Sequence, residues 1–80
     1  MNNDRRKEIN KAIALMQEAL SLIETARDEE GDYYENMPEN LQDSPRGHAA
    51  EQSYGFLEDA YCTLEDAINA AESSMETDHA

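Results

Sequence analysis

Large apolar residues recur along the first third of the chain in alternating steps of four and three. Ile9, Ile13, Met16, Leu20 and Ile23 follow this spacing, with Arg27 next in line. The spacing puts all six on one helical face, in the heptad manner of paired helices. It predicts a helix over about residues 4–30, about 40 Å long. Gly31 follows as a C-cap signal. The same spacing returns later, where Ala50, Tyr54, Leu57, Tyr61, Leu64, Ile68, Ala71 and Met75 keep it without a slip. This predicts a second long helix over about residues 45–76, opened by Ser44-Pro45 as N-cap and N1. Gly47 weakens its first turn slightly. Gly55 costs about 1 kcal/mol of helix propensity, and is either tolerated or a mark of close packing. Residues 77–80 are expected to fray.

The connection, about residues 31–44, is long for a helical hairpin and rich in large side chains. Asn36 and Glu39 have capping-box spacing, with Pro38 in the first turn, so a short helical turn is expected over Pro38–Leu41. Tyr33, Tyr34, Met37 and Leu41 are expected to tuck over the open end of the helix pair. The alternative is a binding epitope at Tyr33, Tyr34 and Met37, since aromatic residues on a rigid loop often carry binding energy.

The fold expected is all-α: one domain over residues 1–80, an antiparallel helical hairpin with a structured loop. Heptad lettering extends this reading. The seam takes Ile13, Leu20, Arg27, Tyr54, Tyr61, Ile68 and Met75 at a, and Ile9, Met16, Ile23, Ala50, Leu57, Leu64 and Ala71 at d. Every g position from Ala12 to Ala26 and from Ser53 to Ser74 is then small, and the c positions add Leu15, Leu22 and Phe56. Each helix has an apolar arc wider than one seam covers. A homodimer forming a four-helix bundle, with a flank built from Leu15, Leu22, Phe56, Ala60 and Ala67, buries the excess. A different protein on that flank, or the loop folded across it, is the alternative.

Composition narrows the function. The chain has 80 residues, Asp+Glu 19 against Lys+Arg 6, and a formal charge of -13. Such charge favours disorder, but the periodic large side chains argue for a folded state. One small domain leaves no room for a doubly wound sheet or a barrel. The charge repels nucleic acid and anionic membrane surfaces. It is also ordered. Glu51, Glu58, Glu65 and Glu72 recur every seven residues at e, with Asp59 and Asp66 beside them at f. They form an acidic ridge with acids about 10.5 Å apart in each row. Arg5, Arg6, Lys7 and Lys11 gather at the start of the first helix, where they oppose the helix dipole. In an antiparallel hairpin this basic start lies beside the end of the second helix, near Glu72 and Glu76.

Candidate chemistry is sparse. There is no glycine-rich phosphate loop, and His48 and His79 lie far from Cys62 in sequence. Cys62 falls at b and is expected to be partly exposed and incidental. A lone cysteine and no apolar leader or membrane span suit a cytoplasmic protein. Glu76-Thr77-Asp78-His79 has the Glu-x-x-His spacing of di-iron bundles, but the seam holds no inward carboxylates to complete such a site. No metal, cofactor, small-molecule substrate or catalytic residue is expected.

The run Tyr34-Glu35-Asn36-Met37-Pro38-Glu39-Asn40-Leu41-Gln42-Asp43-Ser44, followed by a glutamate- and alanine-rich helix, resembles a recurring pattern. It belongs to short acidic uncharacterised proteins of phages and prophages of Gram-positive bacteria, and covers roughly residues 33–72. The resemblance implies a phage setting, in which tiny acidic proteins often resemble inhibitors of host nucleic-acid enzymes or defence systems. The functional expectation is a non-catalytic binding module. Its ridge of Glu51, Glu58, Asp59, Glu65, Asp66 and Glu72 would partly imitate nucleic acid toward a basic host protein. The alternative is a structural or adaptor homodimer whose acids serve solubility.

Overall fold

The computed structural model describes residues 2–76, and the expected fraying of residues 77–80 lies outside them. The described chain is all-α: α1 (Asn3–Glu35), α2 (Glu39–Gln42) and α3 (Pro45–Glu76). Asn2 opens α1, its side-chain oxygen accepting the Arg5 N–H at 2.8 Å. This satisfies one of the first-turn donors that have no partner within a helix.

α1 runs a full turn beyond its expected end. Gly31 is not its C-cap; the helix passes through Gly31 and ends at Glu35, with Asn36 as cap. Gly31 needs no left-handed conformation, because no glycine has positive φ among the described residues. The stop comes from Pro38, whose ring disfavours helical geometry at Met37 before it. Tyr33 and Tyr34 therefore stand on α1 rather than in a loop. The capping box does not form either. Asn36 belongs to the end of α1, and Pro38 precedes α2 with no side-chain cap. The Pro38 carbonyl instead accepts the Leu41 and Gln42 N–H groups at 2.9 and 3.0 Å.

The turn into α3 is tied twice. Ser44 acts as the expected N-cap, its hydroxyl oxygen accepting the Gly47 N–H at 3.3 Å while its O–H donates to the Leu41 carbonyl. The Gln42 amide reaches back to the Tyr34 carbonyl at 3.1 Å. Gly47 is more than a weak first-turn residue. It is buried, and a Cβ there would overlap the Leu41 and Gln42 carbonyls and lie 2.5 Å from the Gln42 carbonyl carbon. Its missing side chain lets α2 lie on the first turn of α3.

α1 and α3 lie side by side, and their contacts run in opposite senses of the numbering. Arg6 donates from its guanidinium to the Met75 carbonyl at 3.2 Å near one end. Near the other, the Tyr54 ring lies over Gly31. The basic start of α1 thus supplies a cation to the end of α3, where the helix dipole favours it. Seam residues Ile13, Ala50 and Ile68 are buried, and all the others except Tyr54 are half-buried. The heptad assignment therefore describes the contact between the helices.

The resulting body is thin. Its Cα extents are 61 × 16 × 13 Å and its radius of gyration is 18.0 Å. A compact chain of this length has a radius of about 12 Å. No large side chain is completely buried among the described residues. Gly55, at the middle of α3, has open space where a Cβ would stand. Gly55→Ala is expected to stabilise the protein by about 0.5–1 kcal/mol, read as a higher urea midpoint.

Candidate interaction surfaces

Four pairings between α1 and α3, two of direct contact and two electrostatic, repeat with the heptad. Going up α1 through Glu24, Arg27, Gly31 and Tyr34, and down α3 through Tyr61, Glu58, Tyr54 and Glu51, the steps are three, four and three on both helices. The pairs line the e side of the seam, where the acidic row of α3 meets α1.

The Arg27 member is the most developed. Its guanidinium carbon sits 4.7 Å from the centroid of the Tyr61 ring, a cation–π distance. One terminal nitrogen lies 3.5 Å from a Glu58 oxygen, and Nε lies 3.2 Å from Asp28. Only 18% of the Arg27 side chain is exposed. Burial pulls its pKa down, but the hydrogen bond to Asp28 and the charges of Asp28 and Glu58 outweigh this, and the pKa is raised. A cation at a seam position is thus stacked and paired, as a half-buried charge must be.

One heptad along, the α3 half of this arrangement recurs with different company. Glu51 and Tyr54 take the places of Glu58 and Tyr61, while Tyr34 stands where Arg27 would and Gly31 where Glu24 would. An open cavity of about 280 Å³ results, lined by Gly31, Tyr34, Glu35, Glu51 and Tyr54. The neighbouring Glu51 carboxylate, then burial and the charge of Asp43, hold the Tyr34 phenol above its ordinary pKa. Burial, Glu65 and Glu24 raise that of Tyr61 likewise, with Arg27 opposing.

The folded state thus holds both phenol protons more tightly than the unfolded chain does. Their contribution to stability is whole below about pH 10, the unfolded value, and disappears as pH rises through the raised folded values. The urea midpoint is expected to fall between neutral pH and roughly pH 11. Tyr34→Phe with Tyr61→Phe should flatten part of that fall.

The remaining ridge acids stand in solvent. Glu51, Asp59, Glu65, Asp66 and Glu72 are exposed, and Glu58 is half-buried beside Arg27. The ridge is therefore not a uniform row, because its first two glutamates also serve contacts within the chain. The opposite flank carries no charge over its central length. Leu15, Leu22 and Phe56 are 57%, 69% and 64% exposed, and they stand among Ala12, Ala26, Ser53, Ala60 and Ala67, all exposed as well. Because the contacts run oppositely along the two helices, the g flank of α1 adjoins the g flank of α3. Both small-residue rows lie on one side of the body, and the acidic row lies on the other.

The three residues of the expected loop epitope are separated in character. Met37 is buried, Tyr34 is half-buried, and Tyr33 is 49% exposed on α1. Leu41 is exposed rather than tucked in. Cys62 is free and exposed. Among the described residues no group of three His, Cys, Asp or Glu could hold a metal ion, and no helix is long and apolar enough to cross a membrane. His79 of the Glu-x-x-His run lies outside them. The chain matches no protein-family model, no curated protein and no solved structure.

Heptad lettering placed Arg27, Tyr54 and Tyr61 at the seam, but gave no warning of the Arg27–Tyr61 stack or the neighbouring cleft. The available signal was the pair Glu-x-x-Tyr, which occurs at Glu51/Tyr54 and again seven residues on at Glu58/Tyr61.

Proposed function

We propose that this chain is a non-catalytic protein-binding module that works in the cytoplasm as a homodimer. Each copy is an antiparallel helical hairpin. Two copies join their c/g flanks into a four-helix bundle and turn their acidic rows outward, toward a basic protein partner. The observation that carries the reading is the division of one thin body into an uncharged exposed flank and an acidic flank. An apolar patch of this kind is characteristic of an interaction surface. The accessible surface of 5836 Å² supports the pairing, since a folded monomer of this mass exposes roughly 4900 Å². The excess is comparable to the roughly 800 Å² each partner buries in a standard interface.

The acidic rows fit a basic groove that otherwise grips a phosphate backbone, which is a regular line of negative charge. Together with the resemblance to phage proteins, this favours an inhibitor of a host nucleic-acid-binding or defence protein. The test is capture from a bacterial lysate at two salt concentrations. A basic protein should be retained at roughly 0.1 M salt and released at roughly 0.5 M, where the screening length shrinks to a few Å. Reversing Asp59, Glu65, Asp66 and Glu72 to lysine should abolish retention while the helix content stays. Retention by that variant would leave the second reading, a structural adaptor dimer whose acids keep it soluble.

A further inference from the structure

The geometry points to the cleft between Tyr34, Tyr54 and Glu51 as a receptor for a guanidinium group, an arginine side chain presented by the basic partner. This rests on the protein-binding reading and locates one anchoring site within the acidic surface.

The chain contains its own worked case of such binding. One heptad away, Tyr61 offers its ring face and Glu58 its carboxylate, and the Arg27 guanidinium occupies both, 4.7 Å from the ring centroid and 3.5 Å from the carboxylate oxygen. Tyr54 and Glu51 repeat that ring and carboxylate on the same helix at the same spacing. No cation of the chain is among the residues lining the cavity in front of them. Tyr34 replaces the arginine, and it lines the cleft together with Glu51. Gly31 replaces a glutamate, and the missing side chain lets the Tyr54 ring lie against α1 at the edge of the cleft. A Cβ there would stand 3.1 Å from the Tyr54 ring. Glu35 adds a second carboxylate to the lining, so a planar guanidinium can stack on a ring and meet a carboxylate at its edge. A flat uncharged group keeps the stack and neutral hydrogen bonds but loses the charge attraction to the ring and to the carboxylates.

The test is a titration of the isotope-labelled full chain with N-acetyl-arginine methylamide, followed by amide chemical shifts. The citrulline and lysine analogues serve as a neutral isostere and a compact cation. Saturable shifts are expected at Gly31, Tyr34, Glu51 and Tyr54 with the arginine compound, at millimolar strength. The citrulline compound should bind much more weakly for lack of charge, and the lysine compound at least about threefold more weakly, lacking the planar stack. Glu51→Gln, which keeps the shape, should weaken binding about fivefold or more. Glu65→Gln, on the same ridge outside the cleft, should change it less than about twofold.

Three outcomes would overturn the assignment. They are shifts spread along the whole ridge without saturation, an equal response to citrulline, or equal losses in Glu51→Gln and Glu65→Gln. Lysine binding as tightly as arginine would overturn the choice of guanidinium. Each of these can occur while the lysate capture still shows salt-sensitive retention, so failure of the cleft is distinguishable from failure of the acidic surface as a whole.

Discussion

Leu22→Lys combined with Phe56→Lys is expected to halve the mass of the folded protein in solution, from twice 9.0 kDa to 9.0 kDa. Both side chains stand about two-thirds out in solvent in the single chain, so a lysine at either site costs that chain little by itself. In the proposed paired arrangement the same positions would be interior. Each large apolar side chain buried there contributes about 1.5–3 kcal/mol, and a two-fold interface uses each position twice. Introducing charge removes that contribution and places like charges against one another across the axis. The alanines at g strengthen the expectation, because small side chains let helices approach closely and leave a lysine little room. The monomer so produced should also melt earlier, since its seam has no fully buried large side chain to sustain it alone. Lysine at Asn69, a b position on the far side, is the matching control. It should leave the mass unchanged, as measured by sedimentation equilibrium.

Gly47→Ala is expected to destabilise the protein by about 3 kcal/mol, near the top of the range for an overpacked site. A methyl group in helical geometry is ordinarily welcome. At Gly47 it would overlap two backbone carbonyls that belong to a tied turn. Leu41 and Gln42 are held by bonds to Pro38, Ser44 and Tyr34, so they cannot step aside without breaking those bonds. A helix-propensity gain of about 1 kcal/mol is too small to reverse the sign. Against Gly55→Ala, the same substitution one heptad-and-one residue along α3, the urea midpoints should move in opposite directions. Their difference isolates the packing of α2 from the propensity of α3.

The seam was legible in the sequence because burial along a helix pair repeats with a period the residues themselves display. Ile9 through Arg27 and Ala50 through Met75 all fall inward or half-inward except Tyr54. The exposed flank at Leu15, Leu22 and Phe56 was legible for the same reason. The end of α1 was not. Gly31 and Pro38 are both stop signals, and their relative strength depends on whether a neighbour covers the glycine; the Tyr54 ring does. The capping box at Asn36 and Glu39 failed because Asn36 was already committed to ending α1. Gly47 carried no visible mark of its role, which comes from α2 lying on α3. The Arg27–Tyr61 stack and the cleft beside it required the register between the helices, which two separate heptad patterns leave free. Arg6 is an intermediate case. Its conflict with the dipole of α1 pointed to a partner elsewhere, and the Met75 carbonyl is one.

The proposed pairing of two hairpins through their uncharged flanks is tested most directly by the mass of the unaltered protein, measured by sedimentation equilibrium from micromolar to roughly millimolar concentration with helix content followed in parallel. Twice 9.0 kDa across most of that range, giving way to a less stable 9.0 kDa species only at the lowest concentrations, is the result expected. A fully helical species of 9.0 kDa at every concentration would contradict it.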